Sequence, residues 1–480
     1  MSAPLWTCDD LILACNGALF DSSLAGAPIS GIKIDSRKCG HGDLFVALAG
    51  DKQDGHDFLV KAVNAGATAC LVSRPQNNLS TTQIIVDDTL VGLAQLGAAG
   101  RNRFGGSMIG ITGSVGKTGT KDMLSHVLEN FGKTHASKRS YNNHIGVPIT
   151  LSTLPADCDF AIQEMGMNAA GEIASLSSLT LPDIAMITRI ANTHSGFFET
   201  MEDIAAAKAE IFQGLKAGGI AVLNFDDPFF PQLTAAAYNA GAGRIITFGR
   251  QDEAEFCLLE AHQNDTGMSV RGKVAGRELT FDMQMHGVHW AQNAFGVLAC
   301  VEALGLNLEL AASHLASCRT PEGRGSRLSG HYRHCAITLI DDSYNASPAS
   351  MTAAFASMKT TPPKIMILSD MLELGKATTP EHDALMPQIN ALSPRVVIAI
   401  GPAMQAAISS LDSRIVSIPA SDTNAALEMF DTVVRDGDVV FIKGSLGSGS
   451  WQVRDAILSK LAVHSSPNRP SSNGGNSHAA

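Results

Sequence analysis

The sequence predicts an α/β protein of three domains. A small N-terminal α/β domain covers residues 1–105. A central domain, a phosphate-loop mononucleotide-binding parallel sheet with a β insertion, covers 106–318. A C-terminal Rossmann-like domain covers 319–463, and 464–480 form a tail. Three observations predict this. Residues 107–131, SMIGITGSVGKTGTKDMLSHVLENF, read as strand, glycine-rich loop and helix. Apolar strand-length runs alternate with helical segments from about 106 to 318, and the alternation restarts after 319, as parallel sheets covered on both faces require. Residues 254–285 break the rhythm with alternating polarity and glycine-bearing turns, which reads as an inserted meander. A chain of 480 residues suits two to four such domains.

In the first domain, 44–48 reads as a buried strand, 58–65 as a helix and 69–73 as a second strand. Asp35, Ser36, Arg37, Asp54, His56 and Asp57 fall in the connections. Loops on a rigid scaffold concentrate binding residues, but from this segment alone turn and cap duty is the slightly favoured account.

The central domain opens with the strand 108–112. Gly113, Gly116, Lys117 and Thr118 form the loop, and Met123, Leu124, Val127, Leu128 and Phe131 share one helical face. Loop N–H groups and the positive end of the helix dipole then point at an anion. Lys117 can reach terminal phosphates and the Thr118 hydroxyl can bind Mg²⁺. The usual spacing puts glycine where Ile111 stands; Gly110 and Gly113 flank that position instead. Further strands read at 160–163, 184–187, 220–223 and 245–248, and the helix 290–304 closes the domain. Ligands in such sheets bind at the carboxyl ends of the strands. Glu164 follows one strand directly and His194 lies shortly after another, so both belong on the edge that carries the phosphate loop. A carboxylate there suits Mg²⁺, which wants hard oxygen donors; a surface glutamate is the plainer account. A lone loop histidine is more often nothing. Lys208 sits among alanines in AAAKAEIF, where a solvated lysine would be the ordinary explanation.

In the last domain strands read at 336–340, 365–368, 396–400, 415–418 and 439–442, with helices between.

Composition narrows the function. The formal net charge is -11 and no dense Lys/Arg cluster exists, which argues against a nucleic-acid partner. The nine cysteines form no C-x-x-C pair and read as reduced thiols, hence a cytoplasmic protein. Asp9 and Asp10 stand where a signal peptide needs positive charge. No apolar run is long enough to span a bilayer, so no membrane insertion is expected. The stretch 464–480 is Ser/Asn/Gly/Pro-rich and reads as disordered. No pattern encodes an assembly, and a monomer is the expectation.

The segments GITGSVGKT, EMGMNAAGEI, NTHSGFF, AKAEIF, LNFDD, GVHWAQNA and DDSYNASPASM occur here in that order. The series resembles the ATP-dependent Mur ligases, which build the peptide stem of bacterial cell-wall precursors. It covers residues from about 35 to 461, and the phosphate loop has the family's form, G-x-T-G-[ST]-x-G-K-[ST]. FVALAGDKQDGHDF, DDSYNASP and SDMLELG look like the member that acts last, which adds D-alanyl-D-alanine to UDP-N-acetylmuramoyl-tripeptide. The resemblance implies ATP and Mg²⁺ as cofactors and an acyl-phosphate intermediate.

It also implies roles residue by residue. Gly110, Thr112, Gly113, Ser114, Val115, Gly116 and Gly119 would surround the ATP phosphates, which Lys117 and Thr118 would hold. Thr118 and Glu164 would take a first Mg²⁺ and His194 a second. Lys208 matches a lysine carbamylated by CO₂, so that it too serves the metals. Lys117, Glu164, His194 and Lys208 are thus the expected catalytic set. Asn293 would contact adenine, with His289 in the same motif; Arg324 would reach the phosphates and Asp342 the ribose. Asp35, Ser36 and Arg37 would hold the UDP-sugar, and Asn345, Ser347, Asp370 and Glu373 would face the dipeptide. Two departures stand out. Trp290 follows His289 where the family commonly has asparagine, and Leu446 stands where an arginine is common. The third residue of the tripeptide, meso-diaminopimelate or lysine, is open. A Mur ligase adding the third amino acid is the nearest rival, but no D-N-P-R motif is present. A folylpolyglutamate synthetase would lack the first domain. A nucleotide-gated switch would not need two metal sites.

Overall fold

The computed structural model describes residues 4–21, 28–50, 53–137, 140–192, 197–264 and 266–463. The expected tail, 464–480, lies outside them. Contacts divide the chain into two compact units, Met1–Arg319 and Thr320–Ala480. The first holds two sheets and the second holds one.

The N-terminal sheet has five strands in the spatial order Ala18–Leu19, Thr82–Ile85, Ala69–Val72, Asp43–Val46, Gly31–Lys33. All pairings are parallel except that of the short edge strand Ala18–Leu19. Asp88 caps the helix Thr89–Arg103 by accepting from Leu90 N and Val91 N. That helix packs on the helix Gly146–Ser152, and glycine lets it come close: a Cβ on Gly97 would stand 2.9 Å from Pro148 Cα. Buried Arg101 donates from Nε to Thr180 O at 2.6 Å and from Nη2 to Leu181 O at 2.8 Å. A guanidinium can be buried only with such acceptors.

Nine strands form the central sheet, in the order Arg277–Met283, Gly267–Val274, Phe256–Asn264, Arg244–Gly249, Ile220–Asn224, Ile184–Ile187, Ser107–Thr112, Phe160–Glu164, Thr134–Ala136. The last six are parallel. The 254–285 segment is a three-stranded meander, as its alternation predicts. It does not stand apart from the sheet: Phe256 pairs parallel with Phe248, so the meander extends the sheet edge. Its inward Met268, Val270, Phe281 and Met283 join one core with the helix Val288–Ala303, which buries Phe295, Val297, Leu298 and Val301. Each such side chain contributes roughly 1.5–3 kcal/mol when fully buried.

The C-terminal sheet runs Val416–Ala420, Val396–Ile400, Ile365–Ser369, Asp438–Lys443, Cys335–Asp342, Ser326–Tyr332, Leu461–Val463. Five strands are parallel, and Ser326–Tyr332 and Leu461–Val463 add an antiparallel edge that the alternation did not reveal. No helix among the described residues is long and apolar enough to cross a membrane.

A candidate nucleotide and metal site at the end of the central sheet

The strand Ser107–Thr112 ends in the phosphate loop. Gly113 has φ 142° and Gly116 has φ 85°, both in the region that favours glycine. A Cβ on Gly113 would collide with Thr188 Oγ1, and one on Gly116 would stand 3.0 Å from Asn293 Nδ2. The Thr188 hydroxyl donates to Val115 O at 2.6 Å and so fixes the loop from the neighbouring strand's end. Gly116 caps the helix Lys117–Leu128 without a side-chain bond, leaving first-turn N–H groups for an anion. Lys117 Nζ donates to Gly113 O at 2.6 Å and Ser114 O at 3.3 Å, folded over the loop it serves. Gly110 owes its identity to packing: a Cβ there would meet Met165 Cε at 2.7 Å. Thr112 Oγ1 donates to Met165 O at 2.8 Å. Gly119 lies under Trp290, whose ring stands 5.3 Å from that of His289.

The phosphate-loop strand and the strand Phe160–Glu164 are adjacent and parallel, with Ile111 opposite Glu164. This register brings Glu164 beside the loop. Glu164 is 1% exposed; its Oε1 accepts from Asn142 Nδ2 at 2.7 Å and its buried Oε2 has no hydrogen-bond partner in the protein. Thr118 Oγ1 lies 2.9 Å from Ser140 Oγ. The Thr118 hydroxyl and the Glu164 carboxylate, the two groups expected to serve a metal, are thus both touched by one loop.

Lys208 closes the helix Met201–Ala209, which starts in a capping box between Thr200 and Asp203. The ordinary explanation for this lysine fails: it is fully buried, and its Nζ has no hydrogen-bond partner in the protein. Burial holds its ammonium pKa well below the ordinary lysine value, and the charge of Lys117 pushes the same way, against Glu164, Glu172 and Glu210. A buried amine whose charged form is disfavoured in this way, and which feels the charges of Lys117 and Glu164, is more available as a nucleophile than an ordinary lysine. His194 lies outside the described residues. No ready cluster of three His, Cys, Asp or Glu occurs among the described residues. Mg²⁺ at a phosphate site takes one or two carboxylates and completes its shell with phosphates and water, so Thr118 and Glu164 fit it.

LNFDD supports the same edge. Asn224 Nδ2 donates to Thr188 O at 3.1 Å, Asp227 Oδ2 accepts from Ile190 N at 2.6 Å, and Gln292 Nε2 donates to Asp226 Oδ2 at 2.8 Å. Burial raises the Asp227 carboxyl pKa. Sequence reasoning missed Ser140, Asn142 and Thr188. The polar run SYNN was the available signal.

On the N-terminal sheet, Asp35 caps the 3₁₀ turn Ser36–Lys38 and takes Arg37 Nε and Nη2 at 2.9 Å each. The Arg37 guanidinium lowers the Asp35 carboxyl to about 2. Ser36 is buried. Beside this sheet Asp54 accepts from His56 N at 2.9 Å and from His56 Nδ1 at 2.6 Å, and pairs with Arg74. His56 Nε2 accepts from Ser73 N at 3.0 Å. Asp54 and His56 therefore do the turn-holding work that the sequence allowed.

In the second unit Asp342 lies 2.7 Å from Lys443 Nζ, which also donates to Asn345 O at 3.0 Å. Burial raises the Asp342 carboxyl pKa and Lys443 opposes it. Arg324 stacks its guanidinium 4.4 Å from the Tyr344 ring centre. Ser347 caps the helix Pro348–Ser357. Asp370 Oδ1 accepts from Met404 N at 2.8 Å. Glu373 has φ 65°, an uncommon value for a residue other than glycine. Leu446 is exposed at the end of the strand Asp438–Lys443.

Three family models match this chain: the Mur ligase family catalytic domain over residues 28–96, the Mur ligase middle domain over 111–301, and the Mur ligase glutamate ligase domain over 324–446. A relative from Bacillus subtilis, UDP-N-acetylmuramoyl-tripeptide–D-alanyl-D-alanine ligase, is 36% identical over 367 residues, 75% of this chain and 77% of its own. The crystal structure of MurF from Acinetobacter baumannii aligns with TM-score 0.82 at 28% identity, covering 95% of this chain and 99% of that one. The MurF ligase of Thermotoga maritima in complex with ADP aligns with TM-score 0.75 at 25% identity, over 90% and 97%.

Proposed function

The chain belongs to the Mur ligase family, and from that premise we propose that it adds D-alanyl-D-alanine to UDP-N-acetylmuramoyl-tripeptide. It is an ATP-dependent amide-bond-forming ligase that makes the pentapeptide precursor of peptidoglycan. The observation that carries this reading is the pairing of a phosphate loop with Glu164 and Lys208, two buried groups that each keep one polar atom, Oε2 and Nζ, without a protein partner.

A carboxylate is a poor acyl donor. The free carboxylate of the tripeptide attacks the γ-phosphorus of ATP, the bond to the β-phosphate oxygen breaks, and ADP leaves. The neutral dipeptide amine then attacks the acyl carbon, an amide bond forms, the nitrogen gives up one proton, and phosphate departs with the electrons of the broken C–O bond and takes up that proton. The loop N–H groups hold the phosphates, and Lys117 swings from its loop carbonyls to the transferring group. Thr118 and Glu164 would hold Mg²⁺, with His194 at a second ion. When bound, magnesium neutralises charge on the transferring phosphoryl group. Lys208 takes part as a carbamate: its neutral Nζ adds CO₂, an N–C bond forms, one proton leaves, and a buried amine becomes an anion. The depressed basicity of Nζ supports this step. Asp35, Ser36 and Arg37 bind the UDP-sugar. Asn293 and His289 meet adenine, Arg324 the phosphates and Asp342 the ribose. Asn345, Ser347, Asp370 and Glu373 serve the dipeptide. The protein works in the cytoplasm as a monomer, a location consistent with all nine cysteines being unpaired.

The test measures ADP release with UDP-muramoyl-tripeptides ending in meso-diaminopimelate or lysine, adding D-alanyl-D-alanine or single amino acids in turn. Turnover that requires the dipeptide is expected. Turnover supported by a single amino acid in place of the dipeptide would overturn the reading.

A further inference from the structure

We propose that residues 140–143 form the positioning element of the metal site, with Asn142 aiming Glu164. This rests on reading Glu164 as a magnesium ligand. One short loop touches both oxygen-bearing groups of that site, which come from different elements. Ser140 Oγ lies 2.9 Å from Thr118 Oγ1, and Asn142 Nδ2 donates to Glu164 Oε1 at 2.7 Å.

The loop is itself tied to the chain on either side of Glu164. Gln163 Nε2 donates to Tyr141 O at 3.4 Å, and Gly166 N donates to Asn142 O at 2.7 Å. Gly166 must lack a side chain for this, because a Cβ there would stand 2.9 Å from Asn142 Cγ. Asn143 Oδ1 accepts from Gly146 N at 2.9 Å and turns the chain into the next helix. The Asn142 amide is thereby locked before any ligand arrives.

The consequence for Glu164 is directional. A carboxylate with one oxygen held by a fixed donor presents the other along one line, and Oε2 is the buried oxygen left without a protein partner. Partners of metal ligands act in this way, fixing the ligand's orientation and not touching the ion. Asparagine suits the position. An aspartate would offer no donor and a serine would not reach. Asn142 is therefore a positioning residue.

The experiment titrates Mn²⁺, standing in for Mg²⁺, into the full-length protein with ADP present, reading free Mn²⁺ by electron paramagnetic resonance. The variants are Asn142→Ala, Asn142→Ser, Glu164→Gln and the Asn142→Ala/Glu164→Gln double. Asn142→Ala is expected to weaken Mn²⁺ binding about tenfold or more, while ADP binding without metal stays unchanged. In the Glu164→Gln background it should add nothing, because the two act as one unit. Asn142→Ser keeps a small polar side chain and gives the same reading should the alanine variant misfold. Unchanged Mn²⁺ affinity in the Asn142 variants, or an equal loss in both backgrounds, overturns the proposal. If Glu164→Gln itself leaves Mn²⁺ affinity unchanged, the metal reading of Glu164 falls with it. If only Glu164→Gln weakens binding, the positioning inference alone fails.

Discussion

Gly119 and Trp290 are a fitted pair: a Cβ on Gly119 would stand 2.5 Å from Trp290 Cη2 and closer still to Cζ3. Trp290 is 5% exposed and belongs to the core under the phosphate-loop helix. The tryptophan that departs from the family's usual residue thus occupies space that the glycine leaves. Gly119→Ala should destabilise the protein by about 1–3 kcal/mol through overpacking, despite alanine's better helix propensity. Trp290→Leu in the same chain should recover part of that loss. Thermal melts of the two single variants and the double check it; additive losses would refute the pairing.

Lys208→Ala should lower ligase turnover by roughly a hundredfold or more, the scale of losing a charge-stabilising group, while ATP affinity changes little. Short carboxylic acids should restore part of the activity by filling the place of the carbamate. Steady-state kinetics with and without added acetate decide it. Unchanged turnover would end the carbamate role.

Lys117→Ala should abolish ADP release, because on the proposed reading this ammonium neutralises the transferring phosphoryl group. A tripeptide-dependent ADP-release assay reads this directly. Residual release near the parent rate would show that phosphoryl transfer does not use it.

The strands were readable because parallel strands buried on both faces are continuous apolar runs. Ile184–Ile187, all four residues buried, is the plainest case. Thr134–Ala136 was not readable, since a half-buried edge strand carrying a histidine has no such run. Ser326–Tyr332 was hidden for the same reason: its burial does not alternate cleanly, and its partner strand comes from across a turn at Arg333 with φ 54°. Within the site, Lys117, Thr118 and Glu164 were legible because position after a strand predicts a sheet edge. Asn142 was not. Its bond to Glu164 depends on the loop being tied to the end of the next strand, which no local pattern encodes.

Asp54 yields a pH prediction. Hydrogen bonds from the His56 backbone and ring, chiefly, lower its carboxyl from 3.8 to about 2. The folded state therefore favours the ionised form, and the resulting stability is present above the unfolded value and lost as pH falls toward 2. Asp54→Asn should cost about 1 kcal/mol at neutral pH after allowing for partial exposure. The difference from the parent should shrink between pH 4 and 2. Urea midpoints across that range test it; a constant difference would contradict the assignment.

Lys208 has a consequence for the protein as a material. A long side chain ending in an unsatisfied nitrogen is a poor choice for a core, and leaving such a group unmet costs about 1–3 kcal/mol. The fold tolerates a locally frustrated position at a fully buried lysine. Lys208→Met, similar in length and apolar throughout, should make a sturdier but inert protein, with a higher melting temperature in buffer stripped of CO₂. On the proposed carbamate role, activity and durability would be traded against each other at a single nitrogen atom.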